Sequence, residues 1–184
     1  GDTTEFEEVP FIENDDGAYT VIVKDPDSPE EYDAENRELQ KDSHSVYVAL
    51  GLETFGTEFA KRLRLVHVPV DRAAPLGNKV QLYIVHAFNR KTGLQTPNIA
   101  FQNPGDNPQN RAGNIEFGGK RQMLIDSGPS DWIARREDAS GDVIYATESV
   151  NLPPGSVYLV LITGTEDEVG AAEPQIYFLQ LSTT

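Results

Sequence analysis

The densest cluster of chemically capable side chains lies in KDPDSPEEYD, residues 24–33. Asp25, Asp27, Glu30, Glu31 and Asp33 place several carboxylates within one short loop. Calcium takes about six to eight hard oxygen ligands, often from flexible loops, so this segment is a candidate Ca2+ site. The spacing is not that of an EF-hand, and Pro26 and Pro29 restrict the backbone. The competing reading is a solvated, self-repelling acidic loop. IENDD at 12–16 is a weaker acidic run of the same kind.

Three other constellations could do chemistry. His67 and His86, expected on neighbouring strands, could bind a metal with a carboxylate such as Asp71. Their spacing matches no metal motif, and a hydrogen-bonded structural role competes for each. Trp132 and Tyr145 could form a stacking platform for a sugar ring if Trp132 were exposed beside Tyr145 or Tyr83; a core role for Trp132 is the alternative. Serine catalysis lacks its G-x-S-x-G elbow, and SGPSD at 127–131 reads as a turn. No P-loop and no G-x-G-x-x-G occurs. No catalytic residue is assigned, and the expectation is a protein that is not an enzyme.

Composition narrows the field. The 184 residues carry 30 acidic and 15 basic side chains, a formal charge of −15, and no cysteine. That charge disfavours a nucleic-acid partner or an anionic membrane surface. The absence of cysteine excludes a disulfide framework, a thiolate metal site, an iron–sulfur cluster and a cysteine nucleophile. The longest apolar run, VYLVLI at 157–162, is far short of a membrane span. Residues 1–58 hold 17 acidic and three basic residues, a local charge of −14, so nearly all of the excess lies in the first third.

The elements that must position these residues read as β-strands. Runs rich in Val, Ile, Leu, Tyr and Phe, bounded by turn residues, lie at 18–24, 45–52, 63–70, 80–88, 122–125, 131–136, 143–147, 157–163 and 176–181. Only PEEYDAENREL at 29–39 is helix-like in composition, and its assignment is open. NPGDNPQNRAGN at 103–114 reads as a surface loop. VYLVLI and IYFLQL are almost continuously apolar, which predicts central strands covered on both faces.

The chain also resembles itself. SVY at Ser45–Tyr47 recurs at Ser156–Tyr158, an offset of 111 residues. At that offset Glu5, Phe6, Asp15, Gly17, Ile22 and Asp27 meet identical residues, the matches falling at turn glycines and strand cores. The expected organisation is an acidic C-terminal part of a first repeat, 1–58, and a complete second repeat, 59–184. Open sheet edges on a partial repeat would invite homo-oligomerisation.

LRLVHVPVDRAAPLGNKVQLYIV, residues 63–85, resembles the opening of an uncharacterised bacterial family, domain of unknown function 4397. Arg64, Val66, His67, Pro69, Asp71, Ala74, Pro75, Val80 and Tyr83 carry that likeness. Phe6, Val9, Pro10, Phe11, Gly17 and Tyr19 in the first copy extend it, as do Gly155, Tyr158 and Gly164 in the second. The second copy departs from the pattern: it lacks the Val-Pro-Phe triplet, and its Gly-x-Tyr position reads Gly128-Pro-Ser. The resemblance implies an all-β chain of tandem immunoglobulin-like antiparallel β-sandwiches, one copy complete and one partial. It also implies a place outside the cytoplasm: periplasmic, on the cell surface or secreted, including as a lipoprotein whose leader lies outside this sequence. It implies no reaction. The expected function is surface adhesion or envelope scaffolding, with a protein or glycan partner and no resident cofactor. The alternative is a module binding carbohydrate or a Ca2+-bridged partner.

Overall fold

A computed structural model describes residues 18–24, 31–38, 44–50, 64–71, 73–90, 96–166 and 173–182, the first two segments by backbone alone. Every regular element among them is a β-strand, and no sheet closes into a barrel. In chain order they are β1 (Ala18–Lys24), β2 (Glu31–Glu38), β3 (His44–Leu50), β4 (Arg64–Val70), β5 (Lys79–His86), β6 (Ile99–Gln102) and β7 (Arg111–Ile115). There follow β8 (Lys120–Asp126), β9 (Gly128–Ser130), β10 (Ile133–Arg136), β11 (Val143–Ala146), β12 (Val150–Leu152), β13 (Val157–Thr163) and β14 (Gln175–Ser182). The expected repeat boundary at 58/59 lies outside the described residues.

Two four-stranded sheets form the body, one ordered β14–β13–β5–β8 and the other β11–β10–β6–β7. Period-two alternation sends Val80, Leu82 and Ile84 of β5 and Tyr158, Val160 and Ile162 of β13 into one core. Ile99 and Phe101 of β6, Ile115 of β7, Trp132 and Ala134 meet them from the opposite sheet. Each fully buried aliphatic side chain here contributes about 1.5–3 kcal/mol. All ladders are antiparallel except β5–β13, which is parallel and so departs from the wholly antiparallel sandwich expected. The long connection from β5 through the second sheet supplies the crossover that a parallel pair requires.

The other face of the first sheet is apolar as well. Tyr83 and Val85 of β5, Val157, Leu159 and Leu161 of β13, and Leu179 and Leu181 of β14 point away from the first core. The antiparallel β3–β4 pair covers them with Val46, Val48, Leu50, Val66, Val68 and Val70. Among the described residues these sheets form three stacked β-layers around two cores. The continuous apolar run of β13 has its explanation here, because the strand is central and covered on both faces. β14 is also apolar on both faces, but it is an edge strand, and its Tyr177 is 44% exposed.

Three local readings change. Gly128–Ser130, read as part of a turn, is β9, paired with β12. PEEYDAENREL does not form a helix: Glu31–Glu38 is β2, paired along its length with β1. Helix-compatible composition is a weak prior, and a neighbouring strand's ladder overrides it. Residues 111–114 belong to β7 and not to a loop, so the true loop between β6 and β7 is 103–110. Asn103 and Asn110 close it, with the Asn103 N–H donating to the Asn110 carbonyl at 3.1 Å and Asn110 Nδ2 donating to Asn103 Oδ1 at 3.0 Å.

Candidate functional site

An open groove of about 460 Å3 lies where β4 meets the β7–β8 turn. Leu65, Val66 and His67 form one wall, and Glu116, Gly118, Gly119, Lys120 and Arg121 the other. The Lys120 ammonium donates to the His67 carbonyl and so ties the outer layer to the sandwich. Arg121 donates to the carbonyls of Lys120 and Asn114, each at 3.0 Å, which holds its guanidinium against the turn.

His67 is the residue here with most chemical potential. Its Nε2 lies 2.8 Å from Ser45 Oγ across the β3–β4 ladder. Register brings the two together: Tyr47 pairs with His67 and Ser45 with Pro69, so Ser45 is diagonal to His67 on the same face. A serine hydroxyl against a histidine is the first half of a nucleophile–base pair. The second half, backbone donors for an oxyanion, is not supplied by the facing glycines. The Gly118 N–H donates to the His86 carbonyl at 2.8 Å and the Gly119 N–H to the Glu116 carbonyl at 2.7 Å. The Tyr47 and His67 rings pack at 5.0 Å between centroids, so His67 also serves as a packing ring.

The expected metal triad does not assemble. His67 lies in the outer layer, whereas His86 lies in the sandwich, so the two are not on neighbouring strands of one sheet. His86 is fully buried, its Nδ1 bonded to the Ile115 carbonyl at 2.9 Å and its ring edge-on to Phe117. Asp71 shapes the turn after β4: Oδ1 accepts from the Ala73 N–H at 2.9 Å, and its own N–H donates to the Tyr83 hydroxyl at 2.7 Å. No group of three candidate ligands clusters among the described residues.

The stacking platform is corrected too. Trp132 is 0% exposed and stacked on Phe101 at 4.6 Å and 6°, so its ring faces core and not solvent. Tyr145, on β11, is half-buried against the same core. Of the acidic loop, Asp25, Asp27 and Glu30 lie outside the described residues, while Glu31 and Asp33 fall on β2 opposite Lys24 and Val23.

Sequence reasoning missed an ionic cluster at one end of the sandwich. Glu166 accepts from Arg90 Nε at 2.7 Å and from Arg136 Nη1 at 2.8 Å, and Arg136 Nε reaches Asp138 at 2.9 Å. Hydrogen bonds from the Ser140 hydroxyl, then from Arg136, hold the Asp138 carboxyl well below the usual carboxylate range. The hydrogen bond to Asp138 in turn raises the Arg136 guanidinium. Glu166 follows the Asn89–Thr165 bridge, so the cluster clamps the end of β13 to β10. Arg90, Arg136 and Glu166 are far apart in sequence and carry no motif, so only folding reveals their meeting.

Fold and site together define a layered all-β protein whose described polar clusters brace its layers. No protein-family model matches the chain, and a search of curated proteins returns no relative.

Proposed function

We propose that this chain is a non-enzymatic, extracytoplasmic module of immunoglobulin-like sandwich repeats, acting in cell-surface adhesion or as an envelope scaffold. Residues 1–58 are the end of a first repeat and 59–184 a second. One observation carries this reading: the described groups with chemical potential are engaged in structural contacts. Ser45 meets His67, His86 meets Ile115, and Arg90 and Arg136 share Glu166. The resemblance of residues 63–85 to the family of unknown function supports a place outside the cytoplasm and a protein or glycan partner. Protease treatment of intact source cells should remove the protein, and loss of its gene should lower adhesion or envelope integrity. A protein protected until the cytoplasmic membrane is lysed, or a gene whose loss leaves both properties unchanged, overturns the reading.

A further inference from the structure

The offset of 111 residues seen in the sequence recurs in three independent features of the fold. The β1–β2 ladder shifts register between Val23 and Lys24, and the β10–β11 ladder between Ala134 and Arg135, the same place on the first strand 111 residues on, with the partner strand one residue out of that offset. Tyr47 packs its ring on His67, and Tyr158 packs its ring on Phe178, again the same pair of positions. The third feature concerns the faces. Val46, Val48 and Leu50 of β3 and Val66, Val68 and Val70 of β4 enter the outer core. Their counterparts at the offset are Val157, Leu159 and Leu161 of β13 and Tyr177, Leu179 and Leu181 of β14, all but Tyr177 members of that core. The β3–β4 and β13–β14 ladders differ in register by two residues, which leaves every side chain on its own face.

We infer that the outer core is an isologous repeat-to-repeat interface, in which the same sheet face of each repeat packs on its counterpart, with β4 closing the first repeat as β14 closes the second and so carrying that repeat past the boundary at 58/59. The surface on the second repeat is therefore self-recognising, and the partner it fits is the matching Val/Leu face of another repeat, supplied here by the chain's own first repeat. Isologous packing carries a reciprocity: if position i of one copy meets position j of the other, then j of the first meets i of the second. This inference goes beyond the proposed adhesive role and stands whatever the protein's location.

Two experiments on the full chain test it. Val68→Asp places a charge in the outer core from the first-repeat side, and Leu159→Asp places one from the second-repeat side. Displacing β3–β4 with Val68→Asp should leave the second repeat's face intact and double the sedimentation mass, whereas Leu159→Asp should stay monomeric. Trp132 fluorescence reports the other core, so a native Trp132 signal with a monomeric Val68→Asp overturns the inference. If Val68→Asp unfolds the chain, cysteine pairing decides. The chain has no cysteine, so one Cys at Val46, Val48 or Leu50 can be combined with one at Val157, Leu159 or Leu161 and oxidised. The pattern of disulfides should be symmetric: a link between positions 46 and 161 requires one between 50 and 157. An asymmetric pattern, or no link at all, overturns the inference.

Discussion

The two faces of the β14–β13–β5–β8 sheet share the same strands but differ in what covers them. The inner face meets a four-stranded sheet and a core rich in aromatic rings, with Trp132, Phe88, Phe101, Tyr158 and Phe178. Among the described residues, the outer face meets the two strands β3 and β4, and its core is chiefly Val and Leu, with Val46, Val48, Leu161 and Leu179 partly buried. Alternation makes both faces of a strand equally available, so the difference lies in the width of the covering layer. One strand of that cover, β3, belongs to the strongly acidic segment 1–58, whose net charge of −14 is self-repelling. The inner core is thus the expected seat of stability, and the outer core the layer that opens first.

Substitutions rank these two cores directly. Trp132→Ala should cost the most, about 3–5 kcal/mol, because the ring is fully buried on Phe101. Denaturant melts should show one global loss of near-UV signal; a smaller effect would show the inner core repacking around the void. Leu159→Ala, in the outer core, should cost about 2–5 kcal/mol and raise amide exchange in β3 and β4 ahead of β6 and β10. Equal exchange in all four strands would show the layers to be a single cooperative unit. Gly164 adopts φ 97°, and a Cβ there would collide with the backbone of Glu173 and Pro174. Gly164→Ala should therefore destabilise by more than about 1 kcal/mol, read as a shift of the melting midpoint.

Two charge experiments carry smaller effects. The folded pKa of Asp138 is depressed, so its contribution is fully present above the unfolded carboxylate value of about 3.9 and is lost as pH falls through the folded value. Asp138→Asn should lower the melting midpoint at neutral pH and converge with the parent as pH falls through the folded value, which flattens the acid limb of stability. An unchanged acid limb would assign the pH dependence to other carboxylates. The smallest expected signal is calcium binding to the acidic loop. Calorimetry on chelator-stripped protein separates the calcium alternative from a solvated loop: a heat that Asp27→Asn with Glu30→Gln removes supports a cation site, and no heat retires it.

Strand identity was legible where a long run was apolar and β-branched. Ala18–Lys24 and Val157–Thr163 form strands over the bounds their composition marks. The strands that escaped notice are too short to show that signal, as with the four buried residues of β6, or lack it. β2 is mostly charged and polar, and β7 reads RAGNI, so each owes its strand to the partner beside it. The double coverage of β13 was readable from VYLVLI, because a strand with water on one face would alternate. The identity of the cover was not readable. The candidate sites fared worse for a related reason: residue type says what a side chain can do, and burial decides whether it does so. Trp132 and His86 were open questions until the fold enclosed them.

The sequence by itself determined the all-β character, the places of most strands and the concentration of acid in the first third, because these follow from local composition and period-two patterning. It also carried the 111-residue offset. Only the tertiary structure decided which faces meet, that β5 and β13 run parallel, and that Ser45 reaches His67 while His86 does not. Those depend on contacts between segments far apart in the chain, whose free energy comes from apolar area removed from water without direction, and so is written in no single stretch of residues.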